Sequence, residues 1–176
     1  MATQRILAAT DGSEMANRAL DLAVEISVAL HCDLSIVHVL MHGRPAEEIK
    51  RMADIERLVA AAPAGLALAS PAVPASVAEL IAAAEAESRG LRLIEIIGET
   101  TLRDAADRAM ARGATNLRTH LADGDYADEI LDAAETDGAR MIVLGSRGLG
   151  RLRAAVLGSV SQKVAHHATC AVLLAK

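Results

Sequence analysis

Apolar residues follow two rhythms along this chain. Five short runs stand out: Ile6 to Ala9, Leu34 to Leu40, Leu117 to Ala122, Met141 to Leu144, and Ala171 to Leu174. Four of the five are nearly continuous in apolar residues, the pattern of strands covered on both faces. Between them the apolar positions recur at spacings of three and four. Ala16, Ala19, Leu20, Ala23 and Val24 form one such set after Ser13. Leu102, Ala105, Ala106, Ala109 and Met110 form another, ended by Gly113. Ala127, Ile130, Leu131 and Ala134 precede Gly138, and Val160, Val164, Ala165 and Ala168 complete the series. Each set falls on one helical face. Strands alternating with helices imply right-handed crossovers and a parallel sheet clad on both sides. The pattern predicts a doubly wound α/β fold.

Residues 41–95 interrupt the rhythm. Ile49, Met52, Ile55 and Val59 predict one helix, and Val77, Leu80, Ile81 and Ala84 another. A connector rich in proline and alanine lies between them. Leu93 to Ile97 fits either an added strand or the lead-in to the following helix. The expectation is a helical insertion at about 41–95 within one domain spanning 1–176, a length that suits a single core. From Val59 to Ala78 no residue is charged, which is near the length of a membrane span. Pro63, Pro71 and Pro74 break that stretch, and alanine has little drive into lipid. It reads as a connector.

Composition narrows the function. Hydrophobic residues make up 52% and charged residues 23%, as in a folded globular chain. Aromatic residues make up 1%, with Tyr126 alone, so bases have no platforms on which to stack. A net charge of −5 disfavours duplex nucleic acid and anionic membrane surfaces. Cys32 and Cys170 are too few for a disulfide scaffold and suit a reducing compartment. The opening MATQRILAATDGS has no basic segment leading into a long apolar one. A cytoplasmic protein is expected.

Ligands of open parallel sheets bind beyond the carboxyl ends of the strands. Three loops leave such ends with distinctive chemistry. In Thr10-Asp11-Gly12-Ser13 a carboxylate can meet a ribose hydroxyl or a magnesium ion, or Asp11 or Ser13 can simply cap the next helix. Gly145-Ser146-Arg147-Gly148-Leu149-Gly150 carries three glycines, which let backbone amides approach an anion closely. After nine further residues from Gly148, Gly158-Ser159-Val160-Ser161 opens the last helix with free amides at the positive end of its dipole. Arg147 adds a cation suited to phosphate oxygens. Taken singly, each glycine reads as a turn and Ser159 as a helix cap; in combination at the sheet edge, they fit a phosphate site as well as they fit turns and caps.

Other motifs fail. Lys50, Lys163 and Lys176 do not follow a glycine, so there is no P-loop. Gly148-Leu149-Gly150 lacks the third glycine of a dinucleotide fingerprint. His38 and His42 are four apart, but one falls in a strand run and the other in a loop, a poor pair for a metal. His166 and His167 suit the end of the last helix. No cysteine–histidine cluster has zinc spacing, and no Ser–His–Asp set is recognisable. The acid-rich stretch from Asp123 to Asp137 reads as a solvated helix face.

With these segments in view, the chain resembles the universal stress protein family. The likeness is carried by Arg5 through Ser13, by Leu34 to Leu40 with His38-Val39, and by Ala127-Asp128-Glu129-Ile130 through Gly148. Gly158-Ser159-Val160-Ser161 through His166-His167-Ala168 and Cys170 to Leu174 complete it, over roughly residues 4–40 and 98–176. The family's ATP signature is glycine, two residues, glycine, nine residues, then glycine with serine or threonine; Gly145, Gly148, Gly158 and Ser159 meet it. The resemblance implies a five-stranded sheet of order 3-2-1-4-5 and an ATP-binding regulatory protein of the stress response. It further implies that Asp11 meets the ribose or a phosphate-bound magnesium, and that the backbones of Ala9 and Val39 frame the adenine. Gly145, Arg147 and Gly148 would line the ribose-phosphate turn, and Gly158, Ser159, Val160 and Ser161 would hold the terminal phosphates. A homodimer through the last strand, 171–174, is implied as well. Thr169 and Ala171 stand where the family often has prolines, and Tyr126 where one is frequent. Two other functions compete: slow ATP hydrolysis or nucleotidyl transfer, for which no base to activate water is evident, and a nucleotide-independent dimeric module in which the arm at 41–95 or the dimer edge meets another protein and the glycines only make turns.

Overall fold

A computed structural model of the chain describes residues 4–40, 77–148 and 157–176, with 77–89 described by backbone alone. The elements are β1 (Arg5–Ala9), α1 (Glu14–Leu30), β2 (Asp33–Leu40), α2 (Val77–Ala111), β3 (Arg118–Asp123), α3 (Tyr126–Thr136), β4 (Ala139–Gly145), α4 (Ser159–His167) and β5 (Ala171–Ala175). Their strands form one sheet in the order β3-β2-β1-β4-β5, and every neighbouring pair is parallel. This is the doubly wound α/β architecture, in the sheet order expected.

The continuous apolar runs of β1, β2 and β4 are explained by cover on both faces, whereas that of β5, at the sheet edge, is half-buried to exposed over Ala171 to Leu174. Ile6, Ala8, Leu34, Ile36 and Val143 pack under Ala19, Leu20, Ala23 and Val24 of α1 and under Leu102, Ala105 and Ala109 of α2. Leu7, Ala9, Val37, Val39, Ile142 and Leu144 pack on the opposite face against Ala127, Ile130 and Ala134 of α3 and Val164 of α4. Each fully buried Leu, Ile or Val stabilises the fold by about 1.5–3 kcal/mol relative to leaving it in water. The inner strands carry much of that burial.

Helix limits follow local chemistry. Ser13 caps α1, its Oγ accepting from the Ala16 amide at 3.1 Å. The chain leaves α2 through Gly113 (φ +96°) and α3 through Gly138 (φ +60°), backbone conformations that a side chain would strain. Met110 and Ala165, assigned by spacing to buried faces, are exposed.

The segment from Leu93 to Ile97 is helical, and α2 runs unbroken from Val77 to Ala111 through position 95. The apolar sets at 77–84 and 102–110 therefore belong to one helix. Where α2 crosses the end of β2 it does so at Gly98. A Cβ there would lie 2.6 Å from Leu40 Cδ2, 3.0 Å from Leu121 Cδ1 and 3.2 Å from the His38 ring. The expected helix at 49–59 and most of the proline-rich connector lie outside the described residues. Among those described, no helix is long and apolar enough to cross a membrane.

The topology positions a crevice. Helices α1 and α2 cover one face, α3 and α4 the other, and β1 lies between β2 and β4. The connections leaving β1 and β4 therefore diverge to opposite faces. Among the described residues, no element closes the sheet between the carboxyl ends of these two strands.

Candidate functional site

Two loops and one helix start meet at that crevice. Beyond β1 the chain stays with β2 for one more residue, the Thr10 amide donating to the Val37 carbonyl at 2.9 Å. The Gly12 amide then donates to Thr10 Oγ1 at 3.2 Å and the Ser13 amide to Asp11 Oδ1 at 3.0 Å. Of the two capping candidates, Ser13 takes the helix and Asp11 holds the turn leading into it. The other Asp11 oxygen lies towards the loop after β4: a Cβ on Gly148 would come within 2.5 Å of Asp11 Oδ2. A side chain at position 148 would force the Asp11 carboxylate to shift.

The loop after β4 is anchored on its other flank. The Ser146 amide donates to the Ala175 carbonyl of β5 at 2.7 Å, and Ser146 is buried. The Gly158 amide donates to the Ser146 carbonyl at 2.8 Å, and Ser161 Oγ donates to the Gly145 carbonyl at 2.8 Å. The two glycine-bearing segments are thus tied together at the start of α4. Gly145 is itself confined, since a Cβ there would lie 2.8 Å from the Arg147 carbonyl oxygen and 3.0 Å from Met15 Cγ.

Position and exposure give each residue its available chemistry. Gly158 caps α4 without a side-chain bond, and no acidic residue occupies the first turn. The amides of Ser159, Val160 and Ser161 are those that a helix leaves without an internal partner. Ser161 is 4% exposed with its hydroxyl proton on the Gly145 carbonyl, so the hydroxyl is committed within the fold. Arg147, Gly148 and Ser159 are exposed and Asp11 is half-buried. Ala9 and Val39 are buried with side chains in the core under α3, in paired segments of β1 and β2. Val39 lies one strand further out, on β2, with β1 between it and β4. Gly150 falls outside the described residues, as does His42. Among the described residues no group of three or more His, Cys, Asp or Glu side chains could enclose a metal.

The model of the universal stress protein family matches residues 2–176. A universal stress protein of Bacillus subtilis, YxiE, is 33% identical over 172 residues, covering 98% of each chain. This chain belongs to the universal stress protein family. Among solved relatives of this universal stress protein, one is a universal stress protein in complex with cAMP. It has a TM-score of 0.60 at 24% identity and covers 100% of this chain and 98% of the other. The universal stress protein of Archaeoglobus fulgidus in complex with dAMP gives 0.56 at 23% identity, over 100% of each chain. Both share its fold.

This universal stress protein also contains polar groups that spacing did not reveal. At the amino ends of the strands, Arg5 donates to the Leu34 carbonyl, Ser35 Oγ and the Asn116 carbonyl at 3.1, 3.1 and 3.3 Å, and pairs with Asp33 at 2.9 Å. Ser35 in turn donates to Asp137, which is also met by His120 Nε2 at 2.8 Å and by Arg118 at 3.3 Å. The Asp137 side chain is 2% exposed, so the acid-rich stretch is not solvated throughout. His38 is buried within β2, its Nδ1 2.8 Å from the Thr10 carbonyl oxygen.

Proposed function

We propose that this universal stress protein binds an adenine nucleotide, ATP with magnesium, in the crevice between β1 and β4, and acts as a regulatory protein of the stress response. One observation carries this reading: Gly145, Gly148 and Gly158 stand where two loops and a helix start converge, with the first-turn amides of α4 beside them. Main-chain amides at a helix start suit phosphate oxygens, because the hydrogen bonds and the dipole act in the same sense. The cAMP and dAMP complexes of related proteins support an adenine nucleotide as the ligand.

The residues fit such a group. Ser159, Val160 and Ser161 would hold terminal phosphates through their amides, Arg147 would add charge, and Gly148 would keep the wall low opposite Asp11. Asp11 is the carboxylate positioned to meet a ribose hydroxyl or a magnesium ion whose other ligands come from phosphate and water. When bound, the nucleotide would supply negative charge that joins the loop after β4 to the start of α4. Regulation then requires that it favour one state of the protein over another. The proposed assembly is a homodimer through β5.

Gly158→Val tests the site. A Cβ at Gly158 meets only ordinary contacts, 3.6 Å or more, so the variant is expected to fold. Its side chain would stand over the amides. Calorimetric titration of the wild type with Mg-ATP is expected to show saturable binding, weakened at least about tenfold in Gly158→Val, the equivalent of about 1.4 kcal/mol. Absence of binding up to millimolar nucleotide, or equal affinity in the variant, overturns the reading.

A further inference from the structure

His38 stands between the long helix and the loop that carries Asp11. It is 2% exposed, and its Nδ1 lies 2.8 Å from the Thr10 carbonyl oxygen. A carbonyl oxygen only accepts, so the ring carries its proton on Nδ1 and donates it there. Thr10 is thereby held to β2 twice in succession, its amide on the Val37 carbonyl and its carbonyl on the His38 ring. Its hydroxyl receives the Gly12 amide. Thr10 is the last fixed point before Asp11, whose Oδ2 lies opposite Gly148. On the far side the ring is backed by α2, where a Cβ on Gly98 would lie 3.2 Å from His38 Cδ2.

We propose that His38 is a positioning residue of the nucleotide site: by donating from Nδ1 to the Thr10 carbonyl it sets where the Asp11 loop stands against Gly148. The inference rests on the nucleotide-binding reading above. Asp11 is too short to correct a displaced backbone, so a loop that rises or tilts carries its carboxylate away from the crevice. Donation, more than ring volume, is the property required. An asparagine can place its amide nitrogen near the position of Nδ1, whereas leucine fills the space and donates nothing.

His38→Asn and His38→Leu separate these properties. In ligand-free protein, amide hydrogen exchange at Gly12 and Ser13 is expected to stay near the wild-type rate in the Asn variant and to rise at least tenfold in the Leu variant. Affinity for Mg-ATP, measured by calorimetry, is expected to fall about tenfold in the Leu variant and to remain within threefold in the Asn variant. Nitrogen-15 spectra of the wild type are expected to show a protonated Nδ1 coupled to the Thr10 carbonyl, a readout that stands even if the Leu variant does not fold. A wild type that binds no nucleotide sinks the functional reading, while the exchange and nitrogen spectra still judge His38. Unchanged exchange and affinity in the Leu variant overturn the proposal, as does equal loss in both variants or a ring protonated on Nε2 alone.

Discussion

The carboxylate of Asp137 takes hydrogen bonds from Ser35, His120 and Arg118 while almost fully withdrawn from water. Burial pushes its pKa up, and the hydrogen bonds from Ser35 and His120, with the charge of His120, outweigh that and hold it below the ordinary value. A carboxyl with a lowered folded value contributes stability that is complete above its unfolded value, about 3.9, and is lost as pH falls through the folded one. Asp137→Asn, which cannot accept from all three donors, is expected to cost roughly 2 kcal/mol at pH 7. That difference should narrow as the pH drops below the carboxylate range. Denaturant midpoints of both proteins at neutral and acid pH check this, and a gap that persists undiminished below pH 3 would contradict it. The cluster was not legible in the sequence because Arg5, Ser35, His120 and Asp137 come from four separate segments. Only the parallel register, which sets Ser35 beside Arg118 and Arg5 beside Asp33, brings them together.

At the scale of single elements, α3 and α4 are joined by a small charged clasp at the end nearest the crevice. Asp125 caps α3, its Oδ1 accepting from the Ala127 and Asp128 amides at 3.0 and 3.2 Å. Lys163 of α4 reaches the same carboxylate at 3.0 Å and Asp128 at 2.7 Å. The Lys163 ammonium foremost, and then the Asp128 amide, hold the Asp125 carboxyl below its usual range. These side chains are exposed, so the ion pair itself should contribute little, while the cap should count for more. Asp125→Ala is expected to lower stability by about 1 kcal/mol, and Asp125→Asn, which keeps a capping oxygen, by well under half of that. Thermal denaturation of the two variants side by side distinguishes cap from charge; equal losses would assign the effect to the ion pair. Elements such as these were legible, because strands covered twice and helices covered once leave different periods. Ambiguity arose at Leu93 to Ile97, where an almost unbroken apolar run also suits a buried strand, and the helix on either side decides the outcome. The glycines were legible as a spaced set, but the hydroxyl of Ser161 was not. Its commitment to the Gly145 carbonyl depends on how closely α4 approaches β4.

Taken whole, the molecule is polarised along its strands. The amino ends are closed by the Arg5 and Asp137 clusters, and the carboxyl ends hold the crevice with its glycine loops. Across the sheet the polarity is different: among the described residues β5 has a strand neighbour on one side, β4, and its apolar residues Val172, Leu173 and Leu174 are half-buried. An open parallel edge of this kind offers unpaired backbone groups to another strand, and a second copy related by a two-fold axis satisfies both edges at once. That geometry is what supports the proposed homodimer. Ala171 provides the means of testing it, because it lies on β5 with an exposed side chain, so a lysine there should change folding stability by no more than about 0.5 kcal/mol. In the dimer the same substitution would place a lysine from each copy in the shared interface and desolvate it. Sedimentation velocity is expected to give a dimer for the wild type at micromolar concentration and a monomer for Ala171→Lys, with thermal midpoints nearly equal. A wild type that sediments as a monomer would contradict the assembly. A variant that remains dimeric would place the interface on another surface.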